Sequence, residues 1–245
     1  MTRLPGRPLT RRDGPDWHCL ASSVDLAGRI AHFGAMIIAI DGTLASGKGT
    51  IATRIAAYYS LPHMDTGRLY RATGVAAMRA GVPLDDAKGL AELASTLDPG
   101  IYEEADLRTA EAGAAASKVA AIPEVRAALL ELQRTFAQQP TGAVLDGRDI
   151  GTVVCPDADV KLWVDADTEV RAERRHRELA AAGDPITIEE LIRQLHERDE
   201  RDRSRKDAPM KMAADAVLID TTHLTIDAAV EKARATVEAV MTRQE

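Results

Sequence analysis

The sequence predicts a three-layer α/β fold in which helices cover both faces of a mainly parallel, five-stranded sheet. Short apolar runs of strand length alternate with longer segments rich in Ala, Leu, Glu and Arg. The apolar runs are continuous rather than alternating, which is typical of parallel strands buried on both faces. The first run, 36–40, leads directly into a glycine-rich loop and then a helical segment. Repetition of this strand–loop–helix order indicates βαβ units.

The elements follow one another without an internal repeat or a long linker after residue 36. Strands are expected at 36–40, 61–65, 143–146, 160–164 and 216–219. Helices are expected at 50–59, 68–80, 86–97, 104–121, 124–139, 168–182, 187–206 and 224–242. Asp167 or Thr168 can cap the helix over 168–182, and Gly183 follows its end. Thr187 and Glu190 form a capping box for the next helix.

Composition places the chain among ordinary globular proteins. It has 245 residues, 45% hydrophobic and 28% charged, and a formal net charge of −7. No apolar run reaches the roughly 20 residues that span a bilayer. The acidic balance and the aromatic content of 3% argue against a nucleic-acid partner. The two cysteines, Cys19 and Cys155, are expected to be reduced thiols of a cytoplasmic protein. We expect a monomer without a membrane partner.

The first 35 residues differ from the rest of the chain. They lack a helical apolar period and an apolar core followed by a small-residue cleavage site, so a secretory signal is not indicated. We interpret 1–35 as a disordered extension, or as an upstream start with the functional chain beginning near Met36. A targeting peptide is the alternative; several arginines favour it, and three aspartates argue against it.

The glycine-rich loop has the pattern G-x-x-x-x-G-K followed by Gly-Thr. Glycines permit positive φ, so that successive backbone N–H groups can converge on phosphate oxygens, and the following helix adds its positive N-terminal end. Lys48 would place a point charge at the β and γ phosphates. Because the loop lies between a buried strand and a helix, it predicts a nucleotide site rather than a chance turn. Its residues are Gly42, Thr43, Leu44, Ala45, Ser46, Gly47, Lys48, Gly49 and Thr50.

Magnesium is expected to accompany the nucleotide. The strict form of the loop motif has Ser or Thr directly after the lysine, whereas here Gly49 stands there and Thr50 follows. Ligation by Thr50 therefore stays open between direct contact and contact through water. Asp146, at the end of the third apolar run, is a second candidate that could hold the ion through water.

Arginines are concentrated on two helical segments. Arg198, Asp202 and Arg205 share one helical face, since their spacing is i, i+4, i+7. A second set, on the preceding helix, consists of Arg171, Arg174 and Arg175. Arginines aimed at a moving phosphoryl group lower the barrier to its transfer. The alternative is a solvated, salt-bridged helix face, because acidic residues are interleaved.

Polar residues follow two of the apolar runs. The stretch 146–149, Asp-Gly-Arg-Asp, ends the third run, and in open α/β sheets ligands bind at the carboxyl ends of strands. There Arg148 could clamp a phosphate, and Asp149 could accept hydrogen bonds from a base or sugar. A tight Asp-Gly turn is the alternative. Asp65 ends the second run in the same way. The alternative to a ligand-binding role for Asp65 is an N-cap of the following helix.

Five segments together resemble the cytidylate kinases, the bacterial type within the nucleoside monophosphate kinase family. They are IDGTLASGKGT, HMDTGRLYRA, ASKVAAIPEVRAAL, LDGRDIGTVVCPDADVKLWVDA and RDERDRSRKDAP. The resemblance implies a P-loop NTPase-like kinase domain over 36–245, with a shortened monophosphate-binding insert at about 82–121 and a helical lid at about 171–206. It also implies phosphorylation of CMP and dCMP by ATP.

The resemblance further implies which residues form the site. ATP would lie on residues 42–50, and the lid would carry the arginines of the second set. The CMP site would use Thr66, Arg71, Ser117, Arg126, Arg148, Asp149, Arg198, Asp202 and Arg205. As catalytic charges we expect Lys48, Arg148, Arg198 and Arg205. The nucleophile is a phosphate oxygen that is already anionic, so no general base is required, and His63 and His176 are interpreted as surface or strand-end residues.

The chemistry of cytosine agrees with this set. A carboxylate such as Asp149 can accept from the N4 amino group, and it would oppose the acceptor that uracil carries there. Ser117 and Arg126 can donate to the acceptor edge of the base. Arg71 and Arg148 suit the monophosphate because guanidinium binds phosphate in a bidentate manner.

The sequence departs from the family pattern in two places. Thr43 stands where a proline is usual, and Asp85 to Ala121 is predicted almost entirely helical in place of a longer insert with a small sheet. Two other functions compete: a P-loop kinase for a different monophosphate or a hydroxylated metabolite, and a nucleotide-gated switch whose output is a partner. A nucleic-acid binder using the arginine-rich helices is disfavoured by net charge.

Overall fold

A computed structural model describes residues 35–181, 183 and 186–243. The predicted extension lies outside the described residues, apart from Ala35. The strands are β1 (Met36–Gly42), β2 (His63–Asp65), β3 (Gly142–Gly147), β4 (Val160–Asp165) and β5 (Val217–Asp220). The helices are α1 (Lys48–Tyr59), α2 (Thr66–Ala80), α3 (Ala87–Ser95), α4 (Glu104–Leu107), α5 (Ala110–Val119), α6 (Pro123–Ala137), α7 (Thr168–Ala181), α8 (Ile188–Arg203) and α9 (Ile226–Thr242). A 3₁₀ turn at Pro99–Ile101 and a π-helical turn at Ile150–Val154 complete the order.

The five strands form one sheet in the order β2-β3-β1-β4-β5, and every pair of neighbours is parallel. The predicted α/β class and the five predicted strands are confirmed. Because all strands run the same way, their carboxyl ends lie along one edge of the sheet. At that edge Asp146 of β3 is in register with Ile40 of β1 and with Asp65 of β2.

Helices cover both faces of this sheet, as the continuous apolar runs predict. Ile38 and Ile40 of β1 pack on one face with Ile51 and Ile55 of α1, in a cluster that also includes apolar residues of α9. Ala39 faces the opposite way, into a cluster formed largely by α2, α3 and α6. Successive strand residues point to opposite faces, so one uninterrupted apolar run serves both layers.

The prediction of a single helix over 104–121 is wrong. The chain forms α4, breaks at Arg108, and restarts as α5 behind the N-cap Thr109, whose side chain accepts from Ala112 N at 3.0 Å. Both halves contain good helix formers, and a threonine hydroxyl that bonds the backbone favours a cap over a helix interior. Leu107 is fully buried in a cluster that also contains Tyr102 and Ala112.

The helices α7 and α8 form a hairpin with its own small core. Ala172 and Leu179 of α7 pack against Leu191 and Leu195 of α8, in a cluster separate from those on the sheet. Thr187 caps α8 by accepting from Glu190 N at 3.2 Å, as predicted. Within the described residues, no helix combines the length and apolar character that a membrane span requires.

Gly42, at the end of β1, is a position where a side chain does not fit. Its φ is +154°, and an added Cβ would lie 1.9 Å from the carbonyl oxygen of Val164 in β4. We expect Gly42→Ala to lower the free energy of unfolding by about 3 kcal/mol, because β1 and β4 must separate. Urea unfolding followed by circular dichroism measures this loss.

Gly81→Ala is the matched control for Gly42→Ala. Gly81 also has a positive φ, +67°, but an added Cβ meets nothing within 4 Å. Its expected cost of about 1 kcal/mol reflects backbone strain alone. Equal losses in the two variants would show that the contact with Val164 is not the cause.

Candidate active site

The glycine-rich loop joins β1 to α1 at the carboxyl edge of the sheet. Gly47 is the N-cap of α1 in the left-handed conformation, with φ +93°, and Lys48 is the first helical residue. Not all loop side chains face outward. Thr43 and Ser46 are fully buried: Thr43 Oγ1 donates to Asp165 Oδ1 at 2.6 Å, and Ser46 Oγ donates to the Thr43 carbonyl at 3.0 Å. The threonine that replaces the usual proline therefore anchors the loop to β4.

A cavity of about 460 Å³, called here the outer cavity, opens in front of this loop. The loop residues on its wall are Leu44, Ala45, Gly47, Lys48, Gly49 and Thr50. A smaller cavity of about 130 Å³, called the inner cavity, adjoins it over the ends of β2 and β3. A third cavity of about 670 Å³, called the side cavity, lies on the other side of the loop, between α7 and the segment that follows β5.

Lys48 lies close to the end of β3. Its Nζ is 3.6 Å from Asp146 Oδ1, and its side chain is 14% exposed. Burial, and then the neighbouring positive charge of Arg148, lower the pKa of Lys48 to about 8. The second oxygen of Asp146 contacts His63, with Nε2 at 2.9 Å from Oδ2. His63 therefore lies on the wall of the outer cavity and touches a predicted site residue, beyond the strand-end role expected for it.

Asp202 holds two of the predicted arginines together. Its Oδ2 accepts from Arg148 Nε at 3.2 Å, and its Oδ1 accepts from Arg205 Nη2. Burial opposes ionisation of Asp202, but the charges of Arg148 and Arg205 outweigh it and lower the pKa of Asp202. The predicted helix over 187–206 ends at Arg203, so Arg205 follows it and does not share its face, but Arg198, Asp202 and Arg205 all line the inner cavity.

Asp149 forms an ion pair with Arg126 deep in the inner cavity. Asp149 is 5% exposed, and the Arg126 guanidinium lies 5.8 Å from the ring centroid of Tyr70. Burial raises the pKa of Asp149, and the charges of Arg126 and Arg205 only partly offset it. One carboxylate and one guanidinium thus stand side by side, an arrangement that offers an acceptor and donors to the same ligand edge.

Arg71 and Arg198 border both the outer and the inner cavities. Arg71 Nη2 donates to Asp65 Oδ2 at 2.5 Å, and Arg198 Nη1 donates to the Gly113 carbonyl at 3.2 Å. Burial and the charge of Arg148 lower the pKa of Arg198 to about 10. In the part of the chain that the structure describes, the buried Nε atoms of Arg71, Arg198 and Arg205 find no hydrogen-bond partner.

The three predicted hydroxyl residues, Thr50, Thr66 and Ser117, lie in different surroundings. Thr66 Oγ1 donates to the Asp146 carbonyl at 2.8 Å, so its proton is used inside the protein. Thr50 lines the outer cavity beside Lys48. Ser117, on α5, does not line the inner cavity. It faces the α7–α8 hairpin, where its Oγ accepts from Arg201 Nη1 at 2.6 Å.

The arginines of α7 do not act as one set. Arg171 is 3% exposed and pairs with Asp199 of α8 at 2.8 Å, so it holds the hairpin together. Arg174 donates to the carbonyl oxygens of Ser46 and Thr221, beside the side cavity. Arg175 pairs with Glu178 and faces the outer cavity. Their shared helix face brings them near the loop, but only Arg175 lies on the outer cavity.

Asp41, which was not predicted from the sequence, supports the turn that follows Asp149. Asp41 Oδ1 and Oδ2 accept from the backbone N–H groups of Ile150 and Gly151, each at 2.8 Å, and so hold the turn that follows Asp149. Burial raises the pKa of Asp41 to about 7 against the opposing effect of these two hydrogen bonds. Its place directly before Gly42, at the carboxyl end of a buried strand, was the signal that could have identified it.

The parallel sheet and the loop between β1 and α1 define a P-loop protein of the nucleotide-kinase type, with a second cavity beside the phosphate loop. A family model described as cytidylate kinase matches residues 38–239. The chain belongs to the cytidylate kinase family, which is a family of phosphotransferases.

Individual relatives support the same assignment. The cytidylate kinase of Xanthobacter autotrophicus is 57% identical over 204 residues, which are 83% of this chain and 98% of that protein. That of Bradyrhizobium sp. (strain ORS 278) is 54% identical over 205 residues, 84% of this chain and 97% of that protein. Likeness to solved structures is weaker: TT1252 from Thermus thermophilus has a TM-score of 0.45 and 22% identity, over 84% of this chain and 98% of that one.

Proposed function

We propose that this chain transfers the γ-phosphoryl group of ATP to the phosphate of CMP or dCMP through the residues described above. The observation that carries the proposal is the wall common to the outer and inner cavities, which includes Lys48, Arg71, Asp146 and Arg198. A nucleotide in each cavity would bring the two phosphate chains together at this wall. Family membership supports the same reaction.

The donor phosphates lie on the loop of residues 42–50. The backbone N–H groups of the loop and the N-terminus of α1 favour negative charge there. The adenine base extends into the side cavity, whose wall combines apolar Ile51, Leu224 and Ile226 with the guanidinium of Arg174. An apolar, partly cationic slot of this kind suits a flat heteroaromatic ring.

The acceptor phosphate lies in the inner cavity among Arg71, Arg148, Arg198 and Arg205. Buried Nε groups without a protein partner favour binding of an anion, because desolvated donors gain most from a charged acceptor. Asp202 and Thr66 support the substrate site through other residues. Asp202 orients the guanidiniums of Arg148 and Arg205, and Thr66 joins α2 to the end of β3.

The base is recognised by Asp149 and Arg126. Asp149 accepts from the cytosine N4 amino group, and Arg126 donates to the acceptor edge. Uracil places an acceptor against the same carboxylate. Contact between Ser117 and the base stays a prediction, because it requires this hydroxyl to turn from Arg201 toward the inner cavity.

The chemical step is an in-line displacement in which an oxygen of the CMP phosphate attacks the γ-phosphorus and the bond to the β–γ bridging oxygen breaks. The attacking oxygen is anionic at neutral pH, so the protein has no proton to remove. Lys48, Arg148, Arg198 and Arg205 stabilise the charge that spreads over the moving group. Closure of the α7–α8 hairpin excludes water and so limits hydrolysis of ATP.

Magnesium would fit beside Lys48. The candidate ligands are the Asp146 carboxylate and the Thr50 hydroxyl, which are oxygen donors of the kind that Mg²⁺ uses, and both lie on the outer cavity. When bound, the ion neutralises negative charge on the donor phosphate oxygens. Mg²⁺ is commonly held by one or two protein oxygens together with nucleotide phosphates.

A panel of nucleoside monophosphates tests the proposal. With ATP and Mg²⁺, CMP and dCMP are expected to support ADP formation, while UMP and AMP give kcat/KM values lower by roughly 100-fold or more. A coupled assay for ADP, with product identification by chromatography, measures both. Equal rates with AMP would refute cytosine recognition, and ATP hydrolysis that is indifferent to CMP would favour the nucleotide-gated switch.

Several further expectations stay proposals. We propose a kinase domain over 36–245, with the insert at about 82–121 and the lid at about 171–206; the separate core of the α7–α8 hairpin supports the lid. A cytoplasmic location, a monomeric state and the absence of membrane and nucleic-acid partners are also proposed. The prediction for reduced Cys155 is supported by its burial, which raises the pKa of its thiol to about 11.

A further inference from the structure

His63, the first residue of β2, lies between α1 and the end of β3. Its Nε2 lies 2.9 Å from Asp146 Oδ2, and its Nδ1 lies 3.5 Å from Thr53 Oγ1. Thr53, on α1, donates to the carbonyl oxygen of Gly49 at 2.9 Å. The Thr53 hydroxyl proton is used within α1, so Thr53 borders the imidazole, and the hydrogen bond that His63 makes is the one to the carboxylate of Asp146.

The direction of the key hydrogen bond follows from its chemistry. An ionised carboxylate accepts only, so Nε2 of His63 carries the hydrogen and donates a hydrogen bond to Asp146 Oδ2. The main chain of Asp146 is already held by β3 and by Thr66. Rotation of the carboxylate about its last torsion is broad, and a hydrogen bond to one oxygen is what selects the orientation. With Oδ2 bound by His63, Oδ1 faces Lys48 at 3.6 Å.

We propose that His63 is a positioning residue for phosphoryl transfer, which orients the Asp146 carboxylate toward Lys48 and the donor phosphates. This inference rests on the proposed function. His63 is 21% exposed and lies on the wall of the outer cavity, whereas Asp146 is 2% exposed, so the imidazole supports the carboxylate from the side. Partners of this kind orient a ligating carboxylate, and their loss weakens metal affinity or activity.

The alternative is that His63 merely packs between α1 and β2. Packing depends on the volume of the side chain, whereas orientation of Asp146 depends on a donor at the position of Nε2. Glutamine places an amide nitrogen near the position of Nε2. Asparagine is one methylene shorter and places its amide nitrogen near Nδ1. Leucine has a volume close to that of histidine but no donor, so the pair His63→Gln and His63→Leu separates the two roles, and His63→Asn tests the position of the donor.

Two measurements test the inference on the whole chain. With saturating ATP, CMP and Mg²⁺, His63→Leu and His63→Asn are expected to lower kcat by roughly 10- to 100-fold, whereas KM for CMP changes little. Mn²⁺ binding in the presence of a non-hydrolysable ATP analogue, followed by electron paramagnetic resonance, is expected to weaken by about tenfold or more. His63→Gln is expected to recover most of both quantities.

His196→Leu is the control, because His196 is an exposed histidine on α8. Thermal unfolding of each variant shows whether it folds, and the Gln and Asn variants allow the comparison if His63→Leu does not. Loss of kcat in the smaller Asn variant together with undiminished kcat in His63→Leu would assign His63 to packing, and undiminished kcat and Mn²⁺ affinity in the Asn variant would overturn the inference. If the unaltered protein forms no CDP, the proposed function fails instead.

Discussion

Replacement of Lys48 by methionine is expected to lower kcat for phosphoryl transfer by roughly 10³-fold, the largest loss for a single side chain in this site. Lys48 is the first residue of α1 and is only 14% exposed, so its charge acts where little water screens it. Methionine keeps the length of the side chain and removes the ammonium group. A coupled assay with saturating ATP and CMP gives kcat, and equilibrium dialysis with ATP shows whether binding is also weakened.

A matched control for this substitution is Lys232→Met, since Lys232 is exposed on α9. This control is expected to retain the kcat of the unaltered protein. The role assigned to Lys48 would be abandoned if kcat of Lys48→Met lay within about tenfold of that of the unaltered protein. Loss of a positive charge at the transferring group is expected to lower kcat by more than this factor.

Replacement of Asp149 is expected to change the choice of base more than the use of ATP. In Asp149→Asn the amide can turn its NH₂ group toward the uracil acceptor while its oxygen still faces Arg126. We expect the ratio of kcat/KM for CMP to that for UMP to fall by roughly 10²-fold or more, with KM for ATP little changed. Asp149→Ala should also lose selectivity, with a larger loss of stability, because it leaves the Arg126 guanidinium buried without its partner.

Kinetic constants for CMP, dCMP and UMP at saturating ATP measure this change. Asp157→Asn is the control, since Asp157 is exposed between β3 and β4 and carries the same change of charge. An unchanged preference for CMP in Asp149→Asn would mean that the base is recognised elsewhere, and the acceptor pose in the inner cavity would be wrong.

The sheet was predictable from the sequence because each strand is a continuous apolar run. Burial on both faces demands such runs, and a parallel sheet buries both faces of nearly every strand. The phosphate loop was predictable because its glycines and lysine lie next to one another in the chain. The break at Arg108 was missed because helix propensity is similar on both sides, although Thr109 is a local cap signal.

The pairing of charges was the least predictable part of the site. The spacing of Arg198, Asp202 and Arg205 predicts one helical face, but α8 ends before Arg205, and spacing leaves open whether the side chains face solvent or ligand. Only the tertiary structure brings Asp202 of α8 beside Arg148, which directly follows β3, so that Asp202 binds both Arg148 and Arg205. Ser117 and Arg171 likewise have partners that spacing did not indicate, Arg201 and Asp199.

By itself the sequence determined the class of fold, the phosphate loop and the family, because each depends on residues that are neighbours in the chain or repeat with the period of a strand or helix. The tertiary structure alone decided which distant groups meet: His63 with Asp146, Arg126 with Asp149, and Asp41 with the turn after β3. The physical reason is that contact between residues far apart in sequence depends on strand register and helix packing, and neither leaves a local signal in the chain.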